Sequence, residues 1–224
     1  MRKERNVDVY LDLRESITEL RRLPGEELSI EALCEEYGVS RSPVRDALLR
    51  LSRDKLVDIF PQKGTRVSFL DTDIVKEERF MRKCMELGAL RKCLEKKRTE
   101  KEREAFVVRL ESNLLVQRAS LLEEDYPSFY KADDELHRLF YIEAELENVW
   151  AIIDAHTGND KRIRMISYKD QEILGAVEKE HIDIVNAIKN KDTDLVLKLD
   201  EEHLEKVKQE LDEFKEQFPS YFIK

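Results

Sequence analysis

Asp133 and His137 stand four residues apart in a stretch of helical spacing, so the carboxylate and the imidazole share one helix face. That face is otherwise apolar, carrying Phe129, Leu136 and Phe140. His181 lies within the stripe Leu174, Val177, Ile184 and Ile188, and His203 lies among Val196, Leu199 and Val207. Three helices therefore push imidazole, and one also carboxylate, into positions that the pattern marks as core. A buried ionised carboxylate is costly unless a positive group compensates it. One divalent cation would satisfy all four groups. Asp133, His137, His181 and His203 form an N₃O set that suits zinc, nickel, manganese or iron. The plainer alternative for any one histidine is a hydrogen-bonded core residue. His156 also has apolar neighbours (Val149, Ile152, Ile153) but no carboxylate at ligand spacing, and it stays outside the set.

A second chemistry lies in Leu28–Val67. Ser29 can cap a helix bearing Ile30, Leu33 and Cys34, and Gly38 can end it in a left-handed turn. Ser40 can cap the next helix, with Pro43 in its first turn and Val44, Ala47, Leu48 and Leu51 facing inward. Ser42 and Arg45 project from the other side, and Arg41 stands at the N-terminal border. A recognition helix reads bases from this end, and arginine bonds guanine O6 and N7 bidentately. Two β-prone runs, Val57–Phe60 and Thr65–Ser68, flank Pro61-Gln62-Lys63-Gly64, which reads as a wing reaching phosphate or the minor groove. Residues 37–66 hold seven basic groups against three acids. The outline is a winged helix-turn-helix that touches double-stranded DNA.

The elements that carry these residues divide the chain. Residues 1–70 balance 13 basic against 13 acidic groups, so the whole net charge of −9 lies after residue 70. An acidic second part repels phosphate, which assigns DNA binding to 1–70 and ligand and metal binding, with dimerisation, to 71–224. The second part reads as helices over about 74–97, 100–123, 127–143, 146–165, 170–190 and 193–216, with soft spots at Gly158 and Gly175. Helices without strands suggest an antiparallel bundle, making the protein mainly α. Charged residues at 40% with only 6 Gly and 5 Pro favour a soluble helical protein. No apolar run approaches a membrane span, and the N-terminus lacks an apolar signal segment, so a cytoplasmic protein is expected. Cys34, Cys84 and Cys93 show no ligand spacing and read as reduced thiols.

Two resemblances sharpen this. The Pro24–Ser29 lead-in PGEELS, the core GVSRSPVRDAL and the hydrophobic-Pro-x-x-Gly-x-x-Val wing resemble the DNA-binding domain of GntR bacterial transcription regulators. The resemblance implies operator contacts at Ser40, Arg41, Ser42 and Arg45, with Lys63, Gly64 and Thr65 at the wing. Glu31 departs from members that carry an operator-contacting arginine there, so base preference does not transfer. Asp133-Asp-Glu-Leu-His137, Glu180-His181-Ile-Asp-Ile184 and Glu202-His203-Leu204 resemble motifs of the FCD domain, which defines the FadR-type branch. That implies an all-helical effector-binding domain with Asp133, His137, His181 and His203 as metal ligands. Arg82-Lys-Cys-Met-Glu86 resembles the Arg-x-x-x-Glu of its first helix and makes Arg82 an anchor for an effector carboxylate, with Arg162 and Arg164 as further candidates. The expectation is a homodimeric, effector-controlled regulator on a pseudo-palindromic operator, not an enzyme. The rival readings are a di-iron carboxylate metalloenzyme, on Glu178-x-x-His181 and Asp200-x-x-His203 spacing, and a structural helical adaptor.

Overall fold

A computed structural model describes residues 8–223. Asp8 opens α1 (Val9–Thr18) by accepting hydrogen bonds from the Tyr10 and Leu11 amides. This helix is absent from the sequence reading, because charged residues interrupt the four-residue repeat of Val9, Leu13 and Ile17. Those three side chains are buried in the head. α2 (Ile30–Tyr37) starts at Ser29, whose hydroxyl accepts from the Ala32 amide, and ends at Gly38 with φ +67°. α3 (Arg41–Arg53) follows, burying Val44, Ala47, Leu48 and Leu51. The wing pairs β1 (Val57–Phe60) with β2 (Gly64–Val67) antiparallel, in the register Val57 to Val67 and Phe60 to Gly64. Residues 25–28 run along the free edge of β2, with the Leu28 amide on the Thr65 carbonyl and the Val67 amide on the Glu26 carbonyl. The winged-helix outline thus follows the spacing that suggested it.

Beyond residue 70 come α4 (Thr72–Glu95), α5 (Glu100–Leu122), α6 (Tyr126–Glu143), α7 (Glu147–His156), α8 (Gly158–Ser167), α9 (Gln171–Lys189), α10 (Thr193–Glu205) and α11 (Val207–Gln217). A 3₁₀ turn at Pro219–Tyr221 closes the described chain. Caps account for most starts. Thr99 and Glu102 form a reciprocal capping box on α5, and Asp125, Asp170 and Asp192 cap α6, α9 and α10. Helices α5, α6, α4, α10 and α9 pack each on the next, and α9 returns to α5, so they enclose a ring. Two expected helices differ from the outcome. The span 146–165 is broken at Thr157, and 193–216 is interrupted at Lys206, which itself keeps helical angles.

The break at Thr157 has a packing reason. A Cβ on Gly158 would stand 2.9 Å from Leu56 Cδ2 of the head core, so glycine lets α8 abut the head directly. α1 packs on α8, and Arg14 donates to the carbonyl and carboxylate of Asp154. Arg162, fully buried, donates from Nη2 to the Ser68 carbonyl at 2.7 Å. The linker is also held from downstream. The Leu70 amide donates to the Tyr221 carbonyl (2.8 Å), and the Ile223 amide to the Leu70 carbonyl (3.0 Å).

Candidate metal centre, ligand cavity and DNA interface

The ring brings the four expected ligands together. α6 presents Asp133 and His137, α9 presents His181, and α10 presents His203, with one candidate ligand atom of each within 4.8 Å of all the others. His181 Nε2 stands 3.3 Å from His203 Nε2 and 3.5 Å from Asp133 Oδ1, which lies 3.9 Å from His137 Nε2. Two atoms bound at about 2.1 Å to one ion lie at most about 4.2 Å apart, so these pairs fit a single cation.

The other ring nitrogens determine which lone pairs converge. His137 Nδ1 meets Glu86 Oε1, His181 Nδ1 meets Gln117 Oε1 at 2.7 Å, and His203 Nδ1 meets Glu180 Oε2 at 2.8 Å. Burial raises the Glu86 pKa, while Arg82 donates to its other oxygen and favours the carboxylate; in that form Glu86, like Glu180, accepts only, and His137 and His203 carry their proton on Nδ1. Gln117 is oriented by a chain of amides. Its Nε2 donates to Asn113 Oδ1 (2.7 Å), and Asn113 Nδ2 donates to the Ala132 carbonyl (2.9 Å). That carbonyl can only accept, so Gln117 turns its oxygen to His181. All three Nε2 lone pairs then face the common point, the outer-shell arrangement of histidine metal sites. Burial lowers the imidazolium pKa to about 3 at His181 and about 4 at His203, and well below the ordinary value at His137. The rings are neutral donors. His137 Nε2 is buried and has no hydrogen-bond partner among the described residues, which a cation would supply.

One premise of the sequence argument changes. Burial would raise the Asp133 pKa, but the charges of Arg164 and, behind it, Arg82 outweigh it and keep the carboxylate ionised. Asp133 Oδ2 is paired with Arg164, and Oδ1 accepts from the Tyr168 hydroxyl at 3.0 Å. Its charge is therefore compensated by arginine without a metal.

The site borders a cavity of about 400 Å³, whose polar wall includes Arg79, Arg82, Arg164, Ser167, Tyr168 and His203 and whose apolar wall includes Ile173, Ala176, Val177 and Leu204. Arg82 gives Nε to Glu86 and Nη1 to Asp160, and its buried Nη2 has no partner among the described residues. Arg79 is committed to Asp160 and the Leu204 carbonyl. Of the three expected effector arginines, Arg82 and Arg164 reach the cavity and Arg162 does not. Its guanidinium belongs to the joint with the head. The sequence reading missed Arg79, Gln117 and Tyr168, and it quoted Glu180 in a motif without giving it a role. Arg79 was detectable three residues before Arg82 on one helix face, whereas nothing in the local pattern marks Gln117 or Tyr168. His156 is exposed and bonded to the Ile152 carbonyl, away from the cluster. Glu178 pairs with Arg118 instead of joining the cluster, while Asp200 stands beside Glu86 and His137.

In the head, Ser40, Arg41, Ser42 and Arg45 are all exposed at the start of α3, and Ser40 makes no side-chain cap bond. Arg41 Nη2 donates to Glu31 Oε1 at 2.8 Å. Lys63 and Gly64 are exposed at the wing tip, with Thr65 half-buried beside them. Gly64 has φ +109°, a conformation that favours glycine.

A winged helix-turn-helix joined to a helical bundle defines a class of transcription regulator. Residues 6–67 match the gntR family of bacterial regulatory proteins and residues 79–206 match the FCD domain, and the chain belongs to this family. It is 26% identical over 217 residues to the HTH-type transcriptional repressor RspR of Escherichia coli (strain K12), covering 97% of this chain and 93% of that protein. It is 30% identical over 215 residues to an HTH-type transcriptional regulator in an unstable DNA locus of Streptomyces ambofaciens, covering 96% and 88%. The fold is shared with E. coli McbR/YncC (TM-score 0.76, 19% identity, 94% and 96% covered). It is also shared with a GntR regulator from Rhodococcus sp. RHA1 (TM-score 0.75, 19% identity, 90% and 94% covered). The protein is thus a transcription regulator and not an enzyme. No helix among the described residues is long and apolar enough to cross a membrane.

Proposed function

We propose that the protein is a cytoplasmic, sequence-specific DNA-binding regulator controlled by a small carboxylate that binds beside a divalent metal in the bundle. The observation that carries this reading is the meeting of three neutral imidazole lone pairs and Asp133 at a cavity lined by Arg82, whose buried Nη2 has no partner among the described residues. Asp133, His137, His181 and His203 would hold the metal, which would supply a Lewis-acidic centre for an anionic oxygen. Arg82 would pair with the carboxylate, and Tyr168 and Arg164 would hold Asp133 in place. The donor set accepts zinc, nickel, manganese or iron.

On DNA, Arg41 and Arg45 would read base edges, Ser40 and Ser42 would bond the backbone or bases, and Lys63, Gly64 and Thr65 would reach the flanking groove or phosphates. A two-fold homodimer would set two such heads about 34–36 Å apart on a pseudo-palindromic operator. The test is a thermal-shift panel of small carboxylates and sugar acids, with and without chelator. Metal-dependent stabilisation by one compound class is expected. Stabilisation indifferent to chelation would remove the metal from the reading.

A further inference from the structure

A buried carboxylate is costly unless a positive group compensates it, and inside the ring arginine and lysine supply most of that compensation. Asp133 and Asp134 pair with Arg164 and Lys161, Asp160 with Arg79, and Glu86 with Arg82. Asp200 on α10 differs. It is fully buried, and neither of its carboxylate oxygens has a hydrogen-bond partner among the described residues. Arg82, the nearest source of positive charge, already pairs with both Glu86 and Asp160.

The residues around Asp200 carry the polar interior of the ring one helical turn beyond the imidazole cluster. On α6 the step from His137 to Tyr141 stays on one helix face, and on α10 the step from His203 back to Asp200 does the same. One candidate ligand atom each of Glu86, His137 and Asp200 lies within 4.8 Å of the other two. The Tyr141 hydroxyl is buried without a partner among the described residues. Burial, with the negative charges of Glu86 and Asp200, keeps it protonated. Two carboxylates and a phenol thus share one dry layer, in which three oxygens have no partner.

We infer that this layer is a second cation site, distinct from the imidazole centre, and that it takes an oxygen-preferring divalent ion such as manganese or calcium. Asp200 and Glu86 supply carboxylate oxygens and Tyr141 a hydroxyl oxygen. Ligand atoms within 4.8 Å of one another fit an ion bound at about 2.4 Å. The ion answers the Asp200 charge and gives each unpartnered oxygen a partner. The two donor sets differ in kind, because imidazole nitrogen suits zinc or nickel whereas carboxylate and hydroxyl oxygens suit harder ions. His137 stands between the sites. Its Nε2 faces the first, and its Nδ1 holds Glu86 of the second, so loss of this ring disturbs both.

Protein stripped with chelator receives one equivalent of zinc, and manganese is then titrated while the electron paramagnetic resonance signal of the free ion is followed. Wild type is expected to bind one manganese per chain with zinc in place. Asp200→Asn keeps the size of the side chain and removes its charge, and it should lose manganese while retaining zinc. Tyr141→Phe should weaken manganese binding about tenfold with zinc unchanged. His181→Ala should lose zinc and keep manganese. Zinc content is measured separately by mass spectrometry, so failure of the imidazole centre and failure of this site are distinguishable. Three results would each overturn the site: no manganese bound by wild type, as expected if Asp200 simply keeps a proton; undiminished manganese binding by Asp200→Asn; or loss of manganese in His181→Ala.

Discussion

At the residue scale, the candidate metal centre turns on one amide. Gln117 sets the tautomer of His181 because Asn113 and the Ala132 carbonyl leave it a single orientation. Replacing Gln117 with Leu removes that acceptor and frees the ring to carry its proton on Nε2. Metal affinity should fall about 10–100-fold in a competition titration, while the fold persists. In the head, Glu31 occupies Arg41 through an exposed ion pair. Glu31→Gln should release that arginine, raise affinity for unrelated DNA and steepen the salt dependence of binding. Arg45→Ala should cost about 1–3 kcal/mol on the operator and relax preference at one base position. An unchanged operator affinity in salt-series measurements would remove Arg45 from the readout. That Asp133, His137, His181 and His203 cluster was legible because polar groups interrupt helical apolar stripes. Gln117 was not, since a glutamine among apolar residues has many roles and only its partners define this one.

At the element scale, α8 touches both halves of the molecule. Arg164 on this helix holds Asp133 at the cavity, and Arg162, two residues earlier, holds the Ser68 carbonyl of the linker. A ligand that competes for Arg164 would bias the same helix that anchors the head, which is the differential contact allostery requires. Arg162→Met keeps the buried bulk and removes the donor. Carboxylate binding should survive, while the effector's change in operator affinity should shrink. Loss of carboxylate binding itself would place Arg162 in the ligand site. Glu78 gives this joint a pH dependence. Its carboxylate accepts from the Asn159 side chain and the Asp160 amide, yet burial pushes its pKa up to about 7. The folded state thus holds this proton where the unfolded chain has released it. Stability from this group is full below about pH 4.5 and declines as pH rises towards 7, by on the order of 3 kcal/mol. Glu78→Gln should flatten that part of a melting-temperature profile, whatever constant offset the amide adds. The sequence marked Gly158 as a soft spot, but only the approach of Leu56 explains why a glycine stands there.

At the scale of the whole molecule, charge and topology divide the work. The acidic part repels phosphate, so the balanced head must supply the attraction to DNA, and operator affinity should fall with salt in proportion to the phosphates it contacts. Removing metal should act on the opposite half. Chelation should lower the melting temperature of the wild type but leave His137→Ala unaffected, as calorimetry would show.

The two hydrogen bonds at Leu70 have a consequence for how the chain comes to be made. The partners of this linker, Tyr221 and Ile223, are synthesised long after it. The head has its own core and can fold while the bundle is still emerging from the ribosome. The two bonds at Leu70 cannot form until residues 221–223 have left the tunnel. A nascent head therefore folds before the segment that ties down its linker exists, and the linker is fixed only with the last few residues described.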